Sequence, residues 1–263
     1  AKEALERIIS AEDKWVSQLL ERELKKLGIA VLTGQKVTSV DTSTGIAKVA
    51  IDGGQSIEAE KVLISVGRRA VCDKQTIDNL KLQTNGPAIK VNDRLQTSVP
   101  GVYAIGDVVG TTYLAHGAFA EAEVAAENIN GGDSKIGDYS LILRAVYTFP
   151  EIASVGKSEE RCAKEGIEVA VGRGFFKANG RSVAHNETTG EIRVVREKAS
   201  DKILGVTMIG ANVTEFVSAA RLIIGSTENF NAVSFPHPTV SEVLKEAWED
   251  AFGLSIHQPP RQI

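Results

Sequence analysis

Residues 12–27, EDKWVSQLLERELKKL, set Val16, Leu19, Leu20, Leu24 and Leu27 at helical spacing with charges between them. The pattern predicts an amphipathic helix that Gly28 ends. IAVLTGQKVTSVD (29–41) then reads as a strand, a turn at Gly34 and a second strand. AKVAIDGG (47–54) and SIEAEKVLISVG (56–67) predict a hairpin and a further strand, and KVLISVG is apolar enough for burial on both faces. Residues 67–95 are polar and irregular, with one short strand predicted at AIKVN (88–92). GVYAIGDVVG (101–110) predicts a buried strand, Val102 to Ile105, that ends abruptly at Gly106-Asp107. YLAHGAFAEAEVAAENI (113–129) predicts an alanine-rich helix that closes near Gly131-Gly132.

After residue 138 the texture changes. AVYTFPEIASVG (145–156), EVAVGRGFF (168–176), EIRVVRE (191–197) and KILGVTMIG (202–210) read as strands, with a helix at about 157–165 and two more at about 213–225 and 239–252. Runs of strands followed by helices predict an α+β unit with an antiparallel sheet, and a boundary falls near Asp138.

Hydrophobic residues make up 43% and charged residues 24%, so the chain has the composition of an ordinary globular protein. A net charge of −4 argues against nucleic acid as a partner. No apolar run reaches membrane-spanning length, so no membrane partner is expected. Cys72 and Cys162 form no C-x-x-C or C-x4-C motif, which points to a reducing, cytosol-like compartment. Four scattered histidines and two scattered cysteines give no metal-ligand spacing.

Two places carry candidate chemistry. In SFPHPTVSEV (234–243), His237 stands between Pro236 and Pro238, whose rings restrict the backbone. Thr239 and Glu242 have the T-x-x-E spacing of a capping box. A carboxylate close to a histidine selects its tautomer and suits a general base. The alternative is that Glu242 only caps and His237 only packs. Asp107, just past a buried strand and a glycine, could accept hydrogen bonds from ligand hydroxyls, or be a turn or cap residue. The helix start at Leu114-Ala115-His116 offers free N–H groups to an anionic or electron-rich group. His116 is a ligand contact, a cap or a packing residue on these grounds. His185, in a polar loop, and His257, near the C-terminus, are weaker candidates.

These stretches resemble the pyridine nucleotide–disulfide oxidoreductases. TSVPGVYAIGDV (97–108) resembles the family's second flavin-binding motif, and YLAHGAFAEAE (113–123) the flavin-contacting segment after it. VLISVGRR (62–69) is similar to the end of its NAD-binding domain, VYTFPEIASVG (146–156) to the start of its dimerisation domain and HPTVSE (237–242) to its C-terminal catalytic motif. FKANGRSVAHNETTGEIRVV (176–195), ILGVTMIG (203–210) and GLSIH (253–257) resemble the branch that oxidises dihydrolipoyl groups; glutathione and mercuric reductases are relatives. The resemblance implies a fold class of α/β and α+β. It implies residues 1–70 as the second half of an NAD-binding domain, 71–138 as a central FAD-contacting segment and 139–263 as a C-terminal dimerisation domain with an antiparallel sheet.

It also implies FAD and NAD as cofactors, a homodimer, and lipoyl domains of 2-oxo acid dehydrogenase complexes as partners, in cytoplasm or mitochondrial matrix. Asp107 is implied at the ribityl and phosphate end of FAD, Tyr113, Leu114, Ala115 and His116 along its ring, and Gly67 and Val37 near NAD. His237 is implied as the acid/base toward a dithiol across the dimer interface, oriented by Glu242. The family's G-x-G-x-x-G loops and C-x4-C redox pair are missing from these residues, and Cys72 and Cys162 do not replace the pair on spacing. GRRAVC (67–72) and STENFNAVSF (226–235) depart from the family pattern. The expectation is therefore a fragment that does not complete the reaction alone and binds FAD and NAD poorly. A non-catalytic dimerisation module, or another disulfide reductase of the family, is the alternative.

Overall fold

In a computed structural model of the chain, residues 3–43, 45–227 and 233–257 are described. The chain packs as two compact units, one of residues 1–65 and 145–263, the other of residues 66–144. The fold is mixed α/β with antiparallel sheets.

In the first unit, α1 (Lys14–Lys26) buries Val16, Leu19 and Leu20, and Gly28 ends it at φ +77°. A three-stranded antiparallel sheet follows, β1 (Val37–Asp41), β2 (Ala47–Ile51) and β3 (Ser56–Ala59). In β2 the alternation of Ala47, Val49 and Ile51 inward with Lys48 outward is the period-2 pattern of a half-buried strand.

The main sheet has five strands in the order β6-β7-β10-β9-β8: β6 (Arg144–Val146), β7 (Glu151–Gly156), β8 (Val169–Phe175), β9 (Glu191–Glu197) and β10 (Ile203–Gly210). Register sorts its two faces. Ala153 and Val155 of β7 pair with Met208 and Val206 of β10, which pair with Ile192 and Val194 of β9, opposite Gly174 and Gly172 of β8. On this face lie α6 (Val213–Ile223), over β7 and β10, and α7 (Glu242–Ala251), over β8 and β9. Val217, Ala220, Val243, Leu244, Ala247 and Trp248 are buried there. Each large apolar side chain so buried contributes about 1.5–3 kcal/mol. The other face carries Ile152 and Ile209 beneath α1, and then a polar stretch. Ser154 Oγ donates to Glu12, and Arg193 pairs with Glu191 and Glu159 and stacks on Trp15 at 4.3 Å. The short helices α4 (Glu159–Lys164) and α5 (Gly180–Ala184) are capped by the side chains of Ser158 and Asn179.

The second unit holds α2 (Lys74–Leu80), the hairpin β4 (Thr84–Asn85) and β5 (Ala88–Ile89), a 3₁₀ turn at Gly106–Val109, and α3 (Ala115–Ile129). Leu82, Ile89 and Ala104 form one core cluster, and Leu95, Val124 and Ala125 another. No helix among the described residues is long and apolar enough to cross a membrane.

Four expectations are corrected. Residues 61–67 form no strand, and Leu63 is 92% and Val66 91% exposed. A doubly buried strand needs neighbours on both edges, and none lies beside this run among the described residues. Residues 102–105 are extended but make one isolated bridge, Tyr103 to Gln96, because their local bonds (Thr97 N–H to Val102 O, Val102 N–H to Val99 O) close a tight turn instead of a ladder. Residues 29–33 likewise form no strand ladder. In the supposedly irregular stretch, α2 forms because Asp73 accepts from Thr76 N at 2.7 Å, an N-cap that the apolar periodicity does not reveal. Asn229 and Asn231 lie outside the described residues.

Candidate active site

The described residues present two candidate groups, one on each unit. The first is built at the start of α7. The His237–Pro238 peptide bond is cis. Thr239 Oγ1 donates to Pro236 O at 2.7 Å, and Asn179 Nδ2 donates to Thr239 O at 2.9 Å, so the turn is tied at both ends. Asn179 is itself locked by Ser182, whose N–H and hydroxyl both donate to Asn179 Oδ1. The helix begins at Glu242, three residues later than expected, and only half of a capping box forms. Thr239 N–H donates to Glu242 Oε2 at 2.8 Å, while the Thr239 hydroxyl is used by Pro236.

The other oxygen of the same carboxylate, Oε1, lies 3.0 Å from His237 Nδ1. Capping and orientation are thus two jobs of one side chain. Partial burial pushes the Glu242 carboxyl up, but the Thr239 N–H, His237 and Lys245 outweigh it and hold it below the usual carboxylate value. An ionised Glu242 accepts from Nδ1–H, which leaves the lone pair of neutral His237 on Nε2, and this ring is 79% exposed.

His237 and Glu242 line a cleft of about 400 Å³ whose apolar wall includes Phe175 and Val243. A second pair borders the same cleft. His257 Nδ1 lies 2.6 Å from Glu246 Oε1, and Ser255 Oγ donates to Glu246 Oε2 at 2.9 Å. Sequence reasoning ranked His257 among the weaker candidates and passed over Glu246, although Glu246 is four positions after Glu242 and shares its helix face. The Glu246 hydrogen bond and charge hold the His257 imidazolium above its ordinary pKa, against partial burial and Lys245.

The second group is on the other unit. Gly106, at φ +75°, turns the chain so that Asp107 sits exposed in the first turn of the 3₁₀ helix. Gly106 N–H donates to Glu121 Oε2 at 2.6 Å, and Tyr139 OH donates to Glu121 Oε1 at 2.9 Å. Glu121 is 1% exposed. Burial, then Glu121, pushes the Tyr139 phenol up to about 12. Glu121 also escaped the sequence reading, but it falls in the buried stripe of α3 with Gly117, Val124, Ala125 and Asn128.

Helix α3 begins at Ala115. Tyr113 has φ +54° and Leu114 is extended, without a side-chain cap. Tyr113 OH accepts from Ala70 N–H at 3.1 Å. His116 Nε2 donates to Leu143 O at 2.5 Å. Gly67 has φ +105° and open space on its Cβ side. Val37, on the first unit, pairs with Ile51 beside a bulge. Among the described residues, no three His, Cys, Asp or Glu side chains converge to hold a metal ion.

Residues 2–122 match the model of the pyridine nucleotide-disulphide oxidoreductase family, and residues 142–248 that family's dimerisation domain. The chain is 37% identical to a dihydrolipoyl dehydrogenase of Bacillus subtilis, over 97% of this chain and 56% of the relative. It is 38% identical to mitochondrial dihydrolipoyl dehydrogenase 1 of Arabidopsis thaliana, over 95% and 51%. It therefore spans about half the length of the curated relatives it matches. In fold it is similar to LpdA of Mycobacterium tuberculosis (TM-score 0.86, 18% identity, 94% of this chain and 55% of that one). It is also similar to the HOCl-induced flavoprotein disulfide reductase RclA of Escherichia coli (TM-score 0.86, 19% identity, 94% and 58%).

Proposed function

Because the chain belongs to the pyridine nucleotide-disulphide oxidoreductase family, we propose that it supplies the proton-transfer residues of a dihydrolipoyl dehydrogenase, which passes electrons from dihydrolipoyl groups through a disulfide and FAD to NAD⁺. The observation that carries this reading is the His237–Glu242 pair at the rim of an open cleft. Thiolate, not thiol, attacks a disulfide, so a substrate dithiol must first lose a proton. Glu242 holds Nδ1, and Nε2 of His237 accepts the thiol proton. The Thr239 N–H keeps Glu242 ionised and in place while the imidazole charges.

The second unit fits a flavin nucleotide. Exposed Asp107 supplies an acceptor on a turn latched by buried Glu121. The uncapped start of α3, Leu114, Ala115 and His116, supplies N–H donors and the positive end of a 15-residue helix. FAD, when bound, supplies the redox centre. Asp107 would hold its hydroxyls, and Tyr113 to His116 would border its ring. The match to the family's dimerisation domain over 142–248 supports a homodimer, with lipoyl domains as the proposed substrates.

The test is a chimera in which this chain replaces the matching part of the Bacillus subtilis dihydrolipoyl dehydrogenase. Its His237→Gln variant should lose most dihydrolipoamide oxidation and keep its flavin absorbance. Normal turnover in the variant refutes the acid/base role. Light scattering at micromolar concentration should report a dimer, and a monomer removes the homodimer from the reading.

A further inference from the structure

The cleft holds two imidazole–carboxylate pairs of the same construction. In each, Nδ1 faces a glutamate Oε1 (3.0 Å for His237–Glu242, 2.6 Å for His257–Glu246). In each, the second carboxylate oxygen is fixed by a donor, Thr239 N–H in one and the Ser255 hydroxyl in the other. Both glutamates are partly buried and both rings exposed, at 79% and 67%. Glu242 and Glu246 are one helical turn apart on α7, an axial offset of about 6 Å. That is the scale on which the two sulfurs of a propane-1,3-dithiol are separated. Phe175 and Val243 line the same cleft as the two histidines, and apolar lining suits the short aliphatic arm of such a molecule.

We infer that His257, held by Glu246, is a second proton acceptor in the cleft, and that it takes the proton of the second thiol of the dithiol whose first thiol is served by His237. The inference rests on the function proposed above and extends it to the second half of the exchange. The first substrate thiolate attacks a protein disulfide, forming a mixed disulfide and releasing one protein thiolate. The second substrate thiolate attacks the substrate sulfur of that mixed disulfide. The substrate's own S–S bond forms, the mixed one breaks, and a second protein thiolate leaves. Two electrons pass to the protein disulfide, and the two thiol protons rest on the two imidazoles. Each attack needs its own thiolate, so one acceptor per sulfur removes the wait for the first to discharge.

The charges around His257 favour holding a proton. Glu246 and Glu249 of α7 stabilise its imidazolium, Lys245 opposes them, and His237 with Glu242 shares the cleft.

The 263-residue chain is titrated with dihydrolipoamide, following ultraviolet thiolate absorbance and the two imidazole Cε1–H resonances against pH. The parent should show two thiolates per bound dithiol below the pH at which free dithiol ionises. His257→Gln and His237→Gln should each halve that count. If His257→Gln keeps both thiolates while His237→Gln loses one, His257 only pins the tail; the inference falls and the proposed function stands. If neither variant changes the count, or the dithiol moves neither resonance, both fall. Far-ultraviolet circular dichroism of each variant should match the parent, as expected for exposed rings, and the Glu246→Gln variant should reproduce the His257→Gln result.

Discussion

Substituting Gly172 by alanine tests whether the sheet positions the site. Gly172 and Gly174 lie on the α7 face of β8, separated by Arg173, whose N–H donates to buried Asp250 of α7 at 2.8 Å. A Cβ at Gly172 would stand 1.9 Å from Ala247 O and 2.2 Å from Ala251 N. These are backbone atoms, so no rotamer change relieves the clash and the helix must move off the strand. Overpacking costs about 1–3 kcal/mol, and a clash with backbone belongs at about 3 kcal/mol. Each kcal/mol lowers Tm by about 2–4 °C in a domain of this size, so Gly172→Ala should melt about 6–12 °C below the parent. Gly180→Ala is the control, because a Cβ there meets nothing within 4 Å. The assay is a thermal melt followed by circular dichroism. A displaced α7 also carries Glu242 and Glu246 away from their histidines, so both imidazole resonances should shift in Gly172→Ala. A Gly172→Ala melt that coincides with the parent's refutes the close approach of α7 to β8, and with it the account of how the cleft is held.

Two further expectations concern the other polar contacts. Glu121→Ala removes the acceptor of Gly106 N–H and Tyr139 OH, both only partly buried, and should cost about 1–3 kcal/mol in all; hydrogen exchange at Gly106 should accelerate, and unchanged protection removes Glu121 as the latch of the Asp107 turn. The His257–Glu246 contact should be pH-dependent. The folded-state pKa of His257 is raised above 6.5, so its contribution is fully present below that value and is lost as pH rises through the raised one. Amide exchange in residues 253–257 should quicken over that window in the parent and show no such step in His257→Gln.

Local pattern carried much of the fold. The strands β7 to β10 and the helices α1, α3, α6 and α7 lie where periodicity puts them, with helix ends shifted by a few residues. The pairing of His237 with Glu242 was legible too, because five residues and a proline-bound turn restrict where the carboxylate can go. The run at 62–66 was not. Val62, Leu63, Ile64 and Val66 have the composition of a buried strand, yet burial depends on what lies alongside, and that is not local information.

The sequence by itself determined the order of elements, the α7 carboxylates at positions 242 and 246, and the glycines at 172 and 174, since these follow from residue type and short-range spacing. Only the tertiary structure decided that α7 lies directly on those glycines, that Glu121 reaches back fifteen residues to Gly106, and that His257 returns to the cleft of His237. The reason is physical. Spacing sets which side of an element a side chain leaves from, but packing sets what it meets.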